Sequence, residues 1–165
     1  MLWVMIITMQ STRVYQAKFA APFGVLGICC NENILLGIEF LVPESSLQAP
    51  ENSFAKIVCK QLAAYFAAPD FQFTLPIKVG GTPHQNKVWQ AMRCIPRGQT
   101  RQYGELALSL SSSPRAVGQA CGANPIPIVI PCHRVVSKTG MGGFAHQQNG
   151  YLLDIKRWLL LHEQR

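Results

Sequence analysis

The chain has 165 residues, which is room for one domain or for two small units that share a core. Hydrophobic residues make up 48%, which excludes a disordered chain. No apolar run approaches the ~18 residues of a transmembrane helix. Charged residues are only 14%, yet they give a net charge of +7, which points to an anionic partner such as nucleic acid or a membrane surface.

The positive charge is confined to the second half of the chain. Residues 1–82 hold five basic and five acidic side chains, whereas residues 83–165 hold ten basic and three acidic ones. All four histidines also lie in the second half. This asymmetry predicts a neutral N-terminal unit followed by a basic, histidine-bearing C-terminal unit.

The first nine residues are apolar, and no Lys or Arg precedes Arg13. A secretory signal begins with a basic region, so we interpret this segment as a strand, or as a start codon placed too early with Met5 and Met9 as alternatives. The protein is therefore expected to be intracellular and cytoplasmic, with its six cysteines as reduced thiols.

The first half has the pattern of a small α+β unit. In chain order the patterns predict a strand, a β-hairpin and an amphipathic helix, over residues 12–20, 25–30 with 34–40, and 54–67. Asn31-Glu32-Asn33 supplies the hairpin turn, and Pro69 stops the helix. A segment rich in Gly and Pro, residues 76–82, then links this unit to the second half.

The second half has the pattern of a helix-turn-helix protein. The predicted helices cover residues 83–95, 103–110, 115–121 and 151–163. Thr82-Pro83 and Thr100 are the predicted caps of the first two, and Ser111-Ser-Ser-Pro114 caps the third, which is the expected recognition helix. Residues 134–140 predict a short hairpin, or wing.

One cysteine has the surroundings of a reactive thiol. Cys132 follows a proline and precedes His133 and Arg134. Positive neighbours stabilise a thiolate, and an imidazole can accept the thiol proton, so the spacing favours a nucleophile. A buried, inert cysteine is the alternative that composition leaves open.

The segment around Cys132 resembles a known family. The run from Arg115 to Val135, and above all Pro131-Cys-His-Arg-Val135, is similar to the active-site segment of the O6-alkylguanine-DNA alkyltransferases, or methylated-DNA–protein-cysteine methyltransferases. The similarity spans about residues 82–163. It implies an α+β fold with a small N-terminal α/β domain containing an antiparallel sheet, residues 1–80. A mainly helical, winged helix-turn-helix-like DNA-binding and catalytic domain, residues 81–165, is expected to follow it.

The resemblance also implies five catalytic residues. Cys132 would accept the alkyl group from guanine O6, His133 would act as its base through a bridging water, and Glu163 would orient and polarise that histidine. Asn124 would tie the recognition helix to the active-site turn. The hydroxyl of Tyr103 would approach guanine N3 and help guanine to leave.

The recognition helix is expected to bind duplex DNA that contains O6-alkylguanine. Arg115 matches the arginine that fills the stack once the base has left, and Gly118 would let the helix lie close to the minor groove. The expected DNA contacts are Arg115, Ala116, Gly118, Gln119 and Arg134. The protein is expected to be a monomer that does not bind membranes.

The chemistry agrees with this resemblance. An O6-alkyl carbon lies inside the duplex, so the nucleotide must be extruded before a thiolate can attack it. The resulting thioether is stable, so each molecule would react once, with O4-alkylthymine as an expected second lesion. No metal and no organic cofactor is expected. The alternatives are a lesion-binding protein without catalysis, a helix-turn-helix regulator and a cysteine hydrolase.

Three features depart from the family pattern. Gln102 precedes Tyr103 where serine is frequent. His84 stands where an aromatic residue is common, which puts the local packing in question. The segment 145–150 is longer than in several relatives and corresponds to the loop above the alkylguanine pocket. His146 in that loop is interpreted as an exposed side chain, with a place in the pocket as the alternative.

Overall fold

A computed structural model describes residues 13–68, 70–146 and 150–165. The strand predicted within the first nine residues, and Pro69, lie outside these ranges. No helix of the described part is both long and apolar enough to cross a membrane.

Three antiparallel strands form the sheet of the N-terminal unit in the order β1-β2-β3: β1 (Ala17–Ala21), β2 (Gly24–Cys30) and β3 (Leu35–Leu41). The predicted hairpin is β2–β3. The Asn31 side chain sets its turn, because Oδ1 accepts hydrogen bonds from the backbone N–H groups of Asn33 and Ile34 at 2.9 and 2.8 Å. β1 is shorter than predicted, since residues 13–16 are not in a strand.

One long helix covers the sheet. α1 (Ser53–Ala67) begins where Oδ1 of Asn52 accepts a hydrogen bond from the backbone N–H of Ala55 at 2.7 Å. Its apolar stripe, which ends at Tyr65, is buried. The next residue, Phe66, contacts the last helix of the chain, where its ring packs edge-on against Trp158 at 5.7 Å between ring centroids.

The second half contains the predicted helices and two very short strands. The elements are α2 (Pro83–Arg93), β4 (Arg101–Gln102), α3 (Tyr103–Ser109), α4 (Pro114–Gly122), β5 (Val135–Val136) and α5 (Tyr151–His162). A single 3₁₀ turn, Cys132–Arg134, precedes β5 and is called the active-site turn below. α3 and α4 pack on each other, so the helix-turn-helix and the α+β fold class are confirmed.

Two local predictions in this half are wrong. Thr100 does not cap α3; the helix starts after Gln102, whose backbone N–H donates to Glu105 at 2.8 Å. The segment after Arg134 does not form a hairpin wing, because β5 pairs in parallel with β4, and Ser137 and Gly140 form only an isolated antiparallel bridge.

The buried side chains of both halves form one continuous apolar cluster. Within it, Trp89 of α2 donates a hydrogen bond from Nε1 to the carbonyl of Ala120 in α4 at 2.8 Å. His84, in the first turn of α2, forms a 2.8 Å hydrogen bond between Nε2 and the Ser112 hydroxyl. These contacts fix α4 beside the active-site turn.

Candidate active site

A cleft of about 920 Å³ lies between the helix-turn-helix and the segment that follows β5. Cys132 is in its lining and is only 5% exposed. The walls come from three places: the start of α3, the exposed side of α4, and residues 137–146. A cleft of this size is in the range of small-molecule sites, and its reactive group lies deep.

Asn124 connects the recognition helix to the active-site turn. It lies two residues beyond α4, and its Nδ2 donates to the carbonyl of Ile130 at 2.8 Å. Its Oδ1 accepts from the backbone N–H of Ile126 at 3.0 Å. The amide therefore clamps both ends of the proline-bearing loop between α4 and Cys132, which is the place that the sequence assigned to it.

The histidine beside the cysteine is fully buried and paired with a carboxylate. Nε2 of His133 lies 2.8 Å from Oε1 of Glu163, which is the C-cap of α5. Because a carboxylate accepts hydrogen bonds, this contact puts the proton on Nε2 and leaves Nδ1 as the basic nitrogen. Nδ1 has no hydrogen-bond partner among the described residues, so it is free to accept a proton.

Burial and charge act against each other in this pair. Burial raises the pKa of Glu163, but hydrogen bonds from His133 and Arg134 and the charge of Arg134 lower it by more, so its pKa lies well below the ordinary value. Burial lowers the pKa of His133 despite the opposing carboxylate. At neutral pH the pair is therefore an ionised carboxylate beside a neutral imidazole.

Arg134 occupies a different place from the DNA contact predicted for it. Its Nε and Nη2 donate to the two oxygens of Glu163 at 2.9 Å each, and its Nη1 donates to the carbonyl of Ile95 at 2.7 Å. The guanidinium thus faces the protein interior, with 13% of the side chain exposed. Glu163 and Ile95 therefore hold the guanidinium in the free protein, and a contact of Arg134 with DNA stays a prediction.

The thiol of Cys132 is not activated in the way that its neighbours in the sequence suggested. Burial raises its pKa, His133 beside it is neutral, and the Arg134 charge is paired with Glu163. The groups that lower its pKa are the Asn124 amide, the charge of Lys156 and the backbone N–H groups of the turn. In the free protein Cys132 is therefore a protonated thiol that needs a base.

Lys156 of α5 is a residue of the site that sequence reasoning did not single out. It is completely buried, and Nζ donates to the carbonyls of Val135 and Gly143 at 2.7 and 2.8 Å. Nζ also lies 5.8 Å from the ring centroid of Tyr103. Burial lowers the pKa of Lys156 to about 8, so near neutral pH the cation still persists next to the cleft.

Replacing Lys156 by methionine is expected to slow alkylation of Cys132 by at least about tenfold, the effect of one pKa unit. The change removes a buried cation that lowers the pKa of Cys132 and two hydrogen bonds to the carbonyls of Val135 and Gly143. Iodoacetamide labelling of Cys132 as a function of pH measures the effect. Lys138→Met, which removes an exposed lysine in the cleft lining, is the control and should leave the labelling rate unchanged.

Tyr103 stands at the start of α3 and lines the cleft. Its hydroxyl donates to the carbonyl of Gly143 at 3.3 Å, a long contact that a substrate acceptor can replace. Burial raises the pKa of the phenol above its ordinary value, so the hydroxyl stays protonated and can act as a donor. This position suits the role expected for Tyr103.

The predicted DNA-contacting residues of α4 lie on one side of the helix. Arg115 and Gln119, one turn apart, are both exposed and line the cleft, while Ala116 and Gly118 are half-buried. A Cβ atom added to Gly118 would meet no protein atom within 4 Å. Glycine costs roughly 1 kcal/mol in a helix relative to alanine, and internal packing does not require it here. The open space favours an external partner at this face.

Other titratable groups near the cleft have simpler roles. Cys121 also lines the cleft, but burial raises its pKa to about 12. His146 is exposed, as predicted, and also lines the cleft, with its ring against Gly122. Within residues 13–68, 70–146 and 150–165, no three His, Cys, Asp or Glu side chains come together as a metal site requires.

Two family models match the chain. The model described as "6-O-methylguanine DNA methyltransferase, ribonuclease-like domain" covers residues 14–79. The model described as "6-O-methylguanine DNA methyltransferase, DNA binding domain" covers residues 83–165. The fold places a buried cysteine, histidine and glutamate beneath a helix-turn-helix. The chain belongs to the 6-O-methylguanine DNA methyltransferase family, and the resemblance read from its sequence is confirmed.

Individual relatives agree with this assignment. The methylated-DNA–protein-cysteine methyltransferase of Shigella flexneri is 37% identical over 169 residues, which is 92% of this chain and 96% of the relative. The crystal structure of Mycobacterium tuberculosis O6-methylguanine methyltransferase has a TM-score of 0.76 at 32% identity, covering 89% of this chain and 90% of that chain. The structure of the M. tuberculosis protein OGT in complex with DNA has a TM-score of 0.74 at 33% identity, covering 89% and 91%.

Proposed function

We propose that this protein is a methylated-DNA–protein-cysteine methyltransferase that moves a methyl or larger alkyl group from O6-alkylguanine in duplex DNA to Cys132. One observation carries the proposal. The thiol lies in a cleft walled by a recognition helix, and its neighbour His133 has its basic nitrogen free and its other nitrogen bound to Glu163. Relatives 36–44% identical bear the name of this activity.

The transfer proceeds in one displacement. Nδ1 of His133 accepts the Cys132 proton through a bridging water, and Glu163 stabilises the imidazolium that forms. The sulfur attacks the alkyl carbon, the C–O6 bond breaks, and its electron pair stays on guanine. The Tyr103 hydroxyl donates to guanine N3, so the leaving group carries less charge. The guanine anion takes up a proton at N1 and the imidazolium releases the proton it accepted from Cys132, so the products are a thioether on Cys132 and an unmodified guanine.

The nucleotide must leave the duplex, because Cys132 is almost fully buried. Arg115 enters the stack in its place, while Ala116, Gly118 and Gln119 contact the backbone and groove of the DNA. Residues 81–165 therefore bind DNA and contain the residues that react, and residues 1–80 support them structurally. The protein acts as a monomer, reacts once, and also accepts O4-alkylthymine.

The test is an intact-mass measurement after incubation with a duplex that contains one O6-methylguanine. We expect each molecule to exchange one hydrogen for one methyl group, mapped to Cys132 by peptide analysis, and the reaction to stop at one equivalent. DNA binding without a mass change would instead identify a lesion-binding protein. Continued turnover would identify a hydrolase.

Arg115→Ala is expected to slow transfer from duplex DNA by about tenfold or more, while transfer from free O6-benzylguanine changes little. The free base needs no extrusion, so it does not need a side chain to fill the stack. Single-turnover rates on both substrates measure the difference. Arg157→Ala is the charge-matched control, because Arg157 is exposed on α5 and lies outside the cleft lining. Equal losses on both substrates would contradict the role of Arg115.

A further inference from the structure

The catalytic carboxylate has a third partner, which comes from the neutral N-terminal unit. The Tyr65 hydroxyl of α1 donates to Oε1 of Glu163 at 2.8 Å. The two side chains are 1% and 2% exposed, so water does not compete for this contact. Among the residues that the structure describes, Oε1 therefore accepts from three side chains at once, whereas Oε2 accepts from Nε of Arg134 alone.

We propose that Tyr65 is a positioning residue for alkyl transfer, whose hydroxyl holds Oε1 of Glu163 in place and limits how strongly that oxygen acts on His133. This inference rests on the proposed function, in which His133 is the base. It gives the N-terminal unit a direct part in the chemistry, although every residue that touches substrate lies in the other half.

The backbone geometry supports a fixed role for this hydroxyl. His162, the neighbour of Glu163 on α5, donates from Nε2 to the backbone carbonyl of Tyr65 at 2.8 Å. Their rings also pack edge-on at 5.2 Å between centroids. The side chain and the backbone of Tyr65 thus both contact the end of α5, so α1 fixes the position from which Glu163 reaches into the site.

The phenol can act only as a donor here. Burial and the charge of Glu163 raise the pKa of Tyr65 above its ordinary value, so the hydroxyl keeps its proton. A hydroxyl that served packing alone would not need a buried anion as its partner. The aromatic contacts of the ring with Phe66 and Phe73 would be the same for phenylalanine at this position.

Three donors share Oε1 of Glu163. Removal of one donor therefore strengthens the hydrogen bonds that the other two make to this oxygen. Without the Tyr65 hydroxyl, Oε1 carries more negative charge toward His133, and the pKa of His133 rises. A protonated His133 cannot accept the thiol proton, so the acid limb of the transfer reaction moves to higher pH. The charged groups that act on His133 are Glu163, Arg134 from the active-site turn and Lys156 from α5. Tyr65 from α1 is in turn acted on by Glu163, Arg134 and Arg97 from the loop after α2.

The experiment uses Tyr65→Phe in the full chain, with Tyr15→Phe as the matched control. The Tyr15 hydroxyl also donates to a carboxylate of the N-terminal unit, Oε2 of Glu39 at 2.7 Å. Neither residue lines the cleft that contains Cys132, Tyr103 and Arg115. Single-turnover transfer from a duplex with O6-methylguanine is measured from about pH 5 to about pH 9, and the His133 imidazole is titrated by NMR.

In Tyr65→Phe we expect the midpoint of the acid limb and the pKa of His133 to move up by about half a pH unit or more. In Tyr15→Phe both values should match the wild type. The shift should disappear when Glu163→Gln is present as well. A loss of rate without a shift in either readout overturns the inference, since packing damage alone would give that result. If the wild type transfers no methyl group, the proposed function fails, whereas the NMR titration still decides the link between Tyr65 and His133.

Discussion

Cys132→Ser is expected to abolish methyl transfer while leaving the fold and DNA affinity in place. A serine hydroxyl has nearly the volume of the thiol, so the packed turn tolerates it. It stays protonated at neutral pH and is a far weaker nucleophile than a thiolate, even with His133 beside it. Intact mass after incubation with methylated duplex measures transfer, and a gel-shift titration with the same duplex measures binding.

Cys121→Ser is the matched control for this experiment. Cys121 is a second buried thiol in the lining of the same cleft, and burial raises its pKa to about 12. We expect this variant to transfer the methyl group at close to the wild-type rate. Methylation of Cys132→Ser on another cysteine, or an inactive Cys121→Ser, would contradict the assignment of the nucleophile.

Glu163→Ala is expected to destabilise the protein by about 3–5 kcal/mol, the usual cost of removing one partner of a buried ion pair. The carboxylate accepts hydrogen bonds from Tyr65, His133 and Arg134; without it the Tyr65 hydroxyl and Nε2 of His133 lose their acceptor, and Arg134 keeps only its bond to the carbonyl of Ile95. Urea denaturation at neutral pH measures the loss. We also expect transfer to fall sharply, because His133 loses the group that sets its tautomer and stabilises its charged form.

Acid denaturation provides an independent measurement of the same carboxylate. Since the folded-state pKa of Glu163 is below the ordinary value, its contribution to stability is complete above about pH 4.3 and is lost as the pH falls further. The stability gap between the wild type and Glu163→Gln should therefore shrink on acidification. Asp154→Asn, an exposed carboxylate of the same helix paired with Arg157, is the control and should change little. A pH-independent gap would contradict this account of Glu163.

The regular elements were predictable because each has a local signal. Asn31 marks the hairpin turn, and Thr82 and Ser113 cap α2 and α4 as expected. The pairing of β4 with β5 was not predictable. Strands of two residues have no alternation to detect, and these two lie more than thirty positions apart in the chain.

The site could be predicted where its residues are adjacent in the chain and not where they meet across it. Cys132 and His133 share one turn, whereas Glu163 was found only through the family resemblance. Arg134 was taken for a DNA contact because the carbonyl and the carboxylate that hold it lie 39 and 29 positions away. Tyr65 occupies an otherwise apolar face of α1, so its position indicated packing rather than chemistry. Lys156 meets the carbonyls of Val135 and Gly143 only in the folded chain, so no local pattern marked it.

The network at Glu163 also determines when the cysteine becomes reactive during folding. The carboxylate joins His133 across 30 positions and Tyr65 across 98 positions of the chain, so these contacts close long loops and form late. Until they form, Cys132 is an ordinary cysteine without a prepared base. Under the proposed function, Cys132 is therefore prepared for alkyl transfer only when α1, α5 and the active-site turn have come together.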